Sequence, residues 1–170
     1  SLSSLIERLT DTPLTTANEL TLYNDSREWL VACRDAIAQA QHYIYIELYR
    51  IEEGPWLDAL LDLLAERIQE GVALYWLYDD VGSRSLSRRY RKRMEQLGGQ
   101  VAAFLPVRFR LLTSRVNYRN HRNLVVVDDA VGFTGGNVLL SELQHLPQGA
   151  QPLATTHLRI SGLAVRQLEY

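Results

Sequence analysis

Asn117-Tyr118-Arg119-Asn120-His121-Arg122-Asn123-Leu124-Val125-Val126-Val127-Asp128-Asp129-Ala130-Val131-Gly132-Phe133-Thr134-Gly135-Gly136 is the stretch from which fold and chemistry are read. Leu124–Val127 is short, apolar and β-branched, so it predicts a strand, and Val131–Thr134 predicts another. If the first strand starts at Arg122, the period of two puts His121, Asn123, Val125 and Val127 on one face and Arg122 on the other. His121 and Asn123 then project side by side at the mouth of a sheet. A histidine there is a candidate nucleophile or general acid/base; a lone histidine before a strand also reads as a structural residue. The Gly135-Gly136 pair lets backbone approach a ligand closely and lend N–H groups to an anion.

Upstream of this stretch, strand and helix patterns alternate. Glu19–Tyr23 is β-like, and Asn24-Asp25-Ser26 offers cap residues, with Glu28 three after Asp25 as in a capping box. Trp29, Leu30, Cys33, Ile37 and Ala40 follow at helical spacing. Tyr43–Tyr49 is aromatic and β-branched, a strand. Trp56 to Glu70 carries Leu57, Leu60, Leu61, Leu64 and Ile68 on a helical face and stops at Gly71. Val72–Tyr78 is apolar throughout, the pattern of a strand covered on both faces. A basic helix from Ser87 to Leu97 ends at Gly98-Gly99, and Gln100–Phe104 is another strand. Leu105–Asn120 has no period and reads as a long loop, a kind usually functional or mobile. Thr156–Ile160 is the last strand, and Gly162 to Leu168 opens like a helix. The order predicts an α/β fold with a mixed β-sheet flanked by helices on both faces, residues 1–18 forming a lead-in and residues 19–170 one domain.

Composition narrows the function classes. The 170 residues are 46% hydrophobic and 22% charged, enough apolar content for one packed domain and too much for a disordered chain. The net charge of −2 hides a division: eleven of the 18 basic residues lie between Arg84 and Arg122, where Glu95 is the sole acid. Arg88, Arg89, Arg91, Lys92 and Arg93 share one short helix, and Arg108, Arg110, Arg115 and Arg119 lie in the long loop. They form a candidate patch for anionic lipid headgroups or a nucleic-acid backbone, the other reading being a solvated helix face. Aromatic residues do not interleave with them as in single-strand stacking platforms, which makes nucleic acid the weaker fit. The single cysteine, Cys33, excludes an intrachain disulfide or a cysteine-built zinc site and fits a core position. No apolar run approaches the ~20 residues that span a bilayer.

The stretch from His121 to Gly136 resembles the phospholipase D superfamily motif, H-x-K-x4-D-x6-G-[SG]-x-N, with His121, Asp128, Gly135 and Gly136 at the expected intervals. The wider chain resembles the bacterial cardiolipin synthase branch. The marks are Pro13-Leu14-Thr15 with Asn18, Tyr45-Ile46-Glu47, Leu77-Tyr78-Asp79 with Val81-Gly82-Ser83, Asn117 to Arg122, Gly132 to Gly136, and Thr156-His157-Leu158-Arg159-Ile160. The resemblance implies a phospholipase D-like fold and the N-terminal half of a two-motif protein. It implies a metal-free and cofactor-free phosphatidyl transfer through a phosphohistidine, with a phosphatidylglycerol-like phospholipid as substrate. His121 is then one of the two reacting histidines. The second comes from another half in the same chain or from a homodimer. Asn123, Gly135, Gly136 and Asn137 are the expected phosphate contacts, Asp128 a structural residue, and Glu47 either an orienting partner near the site or a plain strand-end carboxylate. A bacterial protein at the cytoplasmic membrane, with an anionic membrane surface as partner, follows from the same likeness.

The departures are specific. Asn123 stands where the family has its phosphate-binding lysine. Val138 stands where the motif ends in asparagine, with Asn137 one place earlier, and Leu153-Ala154-Thr155 replaces a Trp-x-Asp. An impaired half is expected, since losing one donor to transition-state charge costs about 3–4 kcal/mol. Other readings stay open: a single-motif homodimeric phosphodiesterase or nuclease, a lipid- or phosphate-binding pseudoenzyme, or a fragment without activity of its own.

Overall fold

The computed structural model describes residues 2–10, 12–106, 118–136 and 156–169. In chain order the elements are α1 (Leu2–Thr10), β1 (Glu19–Tyr23), α2 (Ser26–Ala38), β2 (Tyr43–Leu48), α3 (Pro55–Gln69), β3 (Ala73–Asp79), α4 (Arg88–Glu95), β4 (Gln100–Phe104), β5 (Asn123–Val127), β6 (Val131–Gly135), β7 (His157–Ser161) and a 3-10 helix, Leu163–Glu169. Among the described residues the strands form one sheet in the order β1-β7-β6-β5-β2-β3-β4. β2, β3 and β4 run parallel, as strands joined through helices must. β5 pairs antiparallel with β2, and β6, β7 and β1 follow antiparallel. The sheet is therefore mixed.

Two faces are buried unequally. α2 contributes Trp29, Leu30, Cys33 and Ile37, and α3 contributes Leu57, Leu60, Leu61 and Leu64. They pack with Met94 of α4 on Ile44, Ile46, Leu74, Trp76, Val125, Val127 and Phe133 of the sheet. Cys33 lies in this core, its thiol pushed up in pKa by burial. The other face carries a smaller cluster, Leu124, Val126, Ile160 and Val165, on which Leu168 of the 3-10 helix packs. That cover sits over β5 to β7 and leaves Tyr75 40% exposed, so β3 alternates between buried and open positions instead of being covered on both faces. The expected double cover of Val72–Tyr78 is corrected here. Apolar content alone does not reveal how far a short helix reaches.

Local chemistry explains where the elements start. Asp25 caps α2, its carboxylate accepting the Arg27 N–H at 2.7 Å, and Pro55 opens α3 at a position where its missing N–H costs nothing. β5 and β6 are joined by Asp128, Asp129 and Ala130; both aspartates have positive φ (54° and 53°), and the Ala130 N–H closes the turn on the Val127 carbonyl at 3.0 Å. With Val127 paired to Val131, this is a three-residue hairpin loop. The segment expected as a lead-in begins with α1, whose Leu5, Ile6 and Leu9 are exposed. It is tied to the 3-10 helix by Asn18, which accepts the Ala164 N–H at 2.9 Å, and by Gln167 donating to the Pro13 carbonyl.

Candidate functional site

Strand direction gathers the candidate residues at one edge of the sheet. β2 and β3 end there at Leu48 and Asp79. β5 begins there at Asn123, β6 ends at Gly135, and β7 begins at His157 opposite Tyr23 of β1. Ligand sites of open α/β sheets lie at the carboxyl ends of the parallel strands, which is this edge. The register also puts Asn123 on the face of Ile46, Val125 and Val127, because Leu48 pairs with Asn123 and Ile46 with Val125.

His121 precedes β5, is exposed, and rests its ring on that of Tyr49 with centroids 4.2 Å apart. Its backbone neighbour Asn120 donates its side-chain amide to Glu47. Glu47 is buried at 4% exposure, receives the Tyr45 hydroxyl at 3.4 Å, and lies 3.7 Å from the Arg122 guanidinium. Arg122 also donates to the Leu168 carbonyl at 2.8 Å, on the face away from Asn123.

Asn123, expected to contact phosphate, is 6% exposed and bound to backbone at both ends of its amide. Its oxygen accepts the Tyr49 N–H and its nitrogen donates to the Gly136 carbonyl, each at 3.3 Å. It thereby joins the end of β2 to the end of β6. Gly135 departs from expectation for a related reason: the group that approaches it closely is a side chain of this protein. A Cβ there would stand 2.2 Å from Nδ1 of His157. His157 is fully buried, stacked on Trp29 at 4.7 Å, with Nε2 2.9 Å from the Ser26 hydroxyl. Burial holds its pKa below the usual histidine value. Gly136 is exposed, its N–H directed at the Thr156 carbonyl at 3.4 Å.

Asp128 lies at the far end of β5. Its carboxylate accepts the N–H groups of Gln41, His42 and Tyr43 at 2.7, 2.8 and 2.7 Å. Partial burial would raise its pKa, but the three N–H donors outweigh it and hold the carboxyl below the ordinary range. The group fastens the hairpin to the start of β2, remote from His121.

Two residues that sequence reasoning assigned no role prove central to the architecture of the edge. Asp79 is 1% exposed and pairs with Arg119, and His157 fills the space between Gly135 and Trp29. Both had a signal: a carboxylate ending an apolar strand, and a histidine sharing a strand face with Arg159 by the period of two.

The expected basic patch is corrected for Arg91, Arg93 and Arg119 alone. Arg91 pairs with Asp80 at 3.1 Å and donates to the Ser83 carbonyl, and Arg93 bridges Asp58 at 2.5 Å and Asp62 at 2.6 Å. Arg119, with a side chain 5% exposed, faces Asp79. Those three charges meet acids of the scaffold that are distant in sequence, which is why the segment looked uncompensated. Arg88, Arg89 and Lys92 are exposed. Asn137, Arg108, Arg110 and Arg115 lie outside the described residues. Among the described residues no cluster of three or more His, Cys, Asp or Glu could hold a metal ion, and no helix is long and apolar enough to cross a membrane.

No family model matches the chain. It is 37% identical over 156 residues to cardiolipin synthase 2 of Staphylococcus epidermidis, covering 92% of this chain and 32% of the relative. It is 33% identical over 165 residues to the cardiolipin synthase of Alkalihalophilus pseudofirmus, covering 97% and 33%. The chain thus spans about a third of the length of the curated relatives it matches. Among solved structures, NucT from Helicobacter pylori superposes with a TM-score of 0.67 at 11% identity, over 89% of this chain and 91% of NucT. The phospholipase D family member Nuc from Salmonella typhimurium gives 0.56 at 17%, over 89% and 90%. At such identities these two likenesses speak for the fold alone.

Proposed function

Taking the chain as a homologue of bacterial cardiolipin synthases with the phospholipase D fold, we propose that it is one half of a phosphatidyltransferase and carries one of its two reacting histidines, His121. The observation that carries the reading is the exposed His121 ring at the sheet edge, braced by Tyr49 and by Asn120 on Glu47. Residues 19–170 act as one domain, with 1–18 as a lead-in, and a second half from the same chain or a second copy supplies the other histidine.

The substrate is a phosphatidylglycerol-like lipid. One histidine attacks the phosphodiester phosphorus through a ring nitrogen, and the phosphorus–oxygen bond to the glycerol headgroup breaks. The second histidine protonates the departing glycerol oxygen, leaving a phosphatidyl-histidine. That second histidine then takes the proton from a primary hydroxyl of another phosphatidylglycerol, whose oxygen attacks phosphorus and releases the first. The products are cardiolipin and glycerol, and atoms balance without redox chemistry. Gly136 and Asn137 are the candidate phosphate contacts on this half, Glu47 orients Asn120 beside His121, and Asp128 is structural. A bacterial cytoplasmic membrane is the setting, with Arg88, Arg89 and Lys92 towards anionic headgroups.

A second reading, a half that binds phosphate with impaired turnover, is favoured by Asn123, whose amide is occupied by backbone. Restoring a cation tests both. In the whole protein, Asn123→Lys raises phosphatidyl transfer by about 10²-fold, the worth of one charge-stabilising donor. The check is the initial rate of cardiolipin formation from phosphatidylglycerol vesicles. A rate unchanged by the lysine defeats the impaired-half reading.

A further inference from the structure

We propose that Asp79 is a positioning residue for His121, an inference that rests on the reading of His121 as a reacting histidine. Asp79 ends β3, and its carboxylate is buried yet has four donors. Oδ1 accepts the N–H groups of Val81 at 2.9 Å and Gly82 at 2.8 Å, and Arg119 Nη1 lies 3.5 Å from the same oxygen. Oδ2 accepts the N–H of Asn120 at 3.2 Å. Arg119 also reaches the Leu105 carbonyl at 3.5 Å. One carboxylate therefore ties the turn after β3 to the two residues that immediately precede His121.

The same turn reaches His121 by a second route. Gly82 lies so close to Tyr49 that a Cβ would stand 2.1 Å from the Tyr49 carbonyl oxygen and 2.8 Å from ring carbon Cε2. The Tyr49 ring in turn carries the His121 ring. His121 is thus located from two sides by one element: its backbone through Asn120, and its imidazole through Gly82 and Tyr49. Glu47 holds the Asn120 side chain, so Asp79 on its main chain and Glu47 on its amide fix that residue at both groups. Positional control of this kind matters because a shift of about 1 Å in a reacting group costs about 10²-fold in rate.

The test is Asp79→Asn in the whole protein. The amide keeps the shape but leaves one oxygen for three N–H donors and strips Arg119 of its counter-charge. With histidine ring nitrogens labelled, NMR on the folded variant is expected to show the His121 imidazole resonances displaced. Cardiolipin formation is expected to fall about 10²-fold in kcat, with KM within twofold. Should the single variant fail to fold, the double variant Asp79→Asn/Arg119→Gln removes the buried charge pair together and decides the matter by the same two readouts. Wild-type His121 resonances and wild-type kcat in a folded variant overturn the proposal. Turnover that survives His121→Ala overturns the underlying reading instead, and the ring resonances still report whether Asp79 places that ring.

Discussion

Asn123 illustrates how a single exchange changes what a residue can do at this edge. A lysine would present a cation; the asparagine amide is short enough to bond the backbone of two strands and stays buried. The identity of the residue was plain in the sequence, but its occupation was not, because the partners Tyr49 and Gly136 stand just past the ends of β2 and β6. Asp128 differs: the family resemblance implied a structural residue, and its carboxylate accepts three backbone N–H groups. The folded pKa lies below the unfolded one, so the stabilisation is complete above about pH 3.9 and is lost as pH falls through the folded value. Asp128→Asn is expected to lower stability by about 1–2 kcal/mol at neutral pH through weakened hydrogen bonds. The deficit should shrink as the pH falls below about 4. Urea unfolding of both proteins from pH 7 to pH 3 measures it, and a deficit that stays constant contradicts the assignment.

Among the elements, β5, β6 and β7 set the spacing of the edge. His157 of β7 leans over Gly135 of β6, pinned by Ser26 and Trp29 of α2. The glycine pair therefore has two separate reasons: Gly135 makes room for an internal histidine, and Gly136 remains open to solvent. Gly135→Ala forces the new methyl against the imidazole and is expected to destabilise by about 1–3 kcal/mol, the usual cost of overpacking. Adding His157→Ala should make the two changes strongly non-additive, since the second removes what the first strikes. A double-mutant cycle from urea midpoints checks this; simple additivity would show that the contact does not matter. Element type was legible from β1 onward, where β2, α3 and β4 follow from period and composition, but α1 went unread in the stretch expected as a lead-in. The burial of β3 was misread because Tyr75 and Leu74 look equally apolar, while all three of α2, α3 and α4 lie on one side of the sheet.

At the scale of the molecule, charge was the misleading signal. The arginine-rich segment between Arg84 and Arg122 looked like an open patch, but the fold brings Asp58, Asp62, Asp79 and Asp80 to it. Arg93 and Arg119 serve the scaffold, and Arg88, Arg89 and Lys92 are left exposed on α4. Replacing those three by glutamine should weaken binding to phosphatidylglycerol vesicles by about 10²-fold, at about 1 kcal/mol per charge, and leave the unfolding midpoint unchanged. Arg93→Gln should do the reverse. Vesicle sedimentation alongside thermal unfolding separates the two, and equal vesicle affinity after the triple change removes α4 from the membrane contact.

The central claim is that His121 takes part in phosphatidyl transfer, and it meets its most direct test in the balance of products. The whole protein, given phosphatidylglycerol vesicles, is predicted to form cardiolipin and glycerol in equal amounts. His121→Ala, still folded, should lose that activity by about 10³-fold or more. Equal product formation by the folded His121→Ala protein would contradict the account.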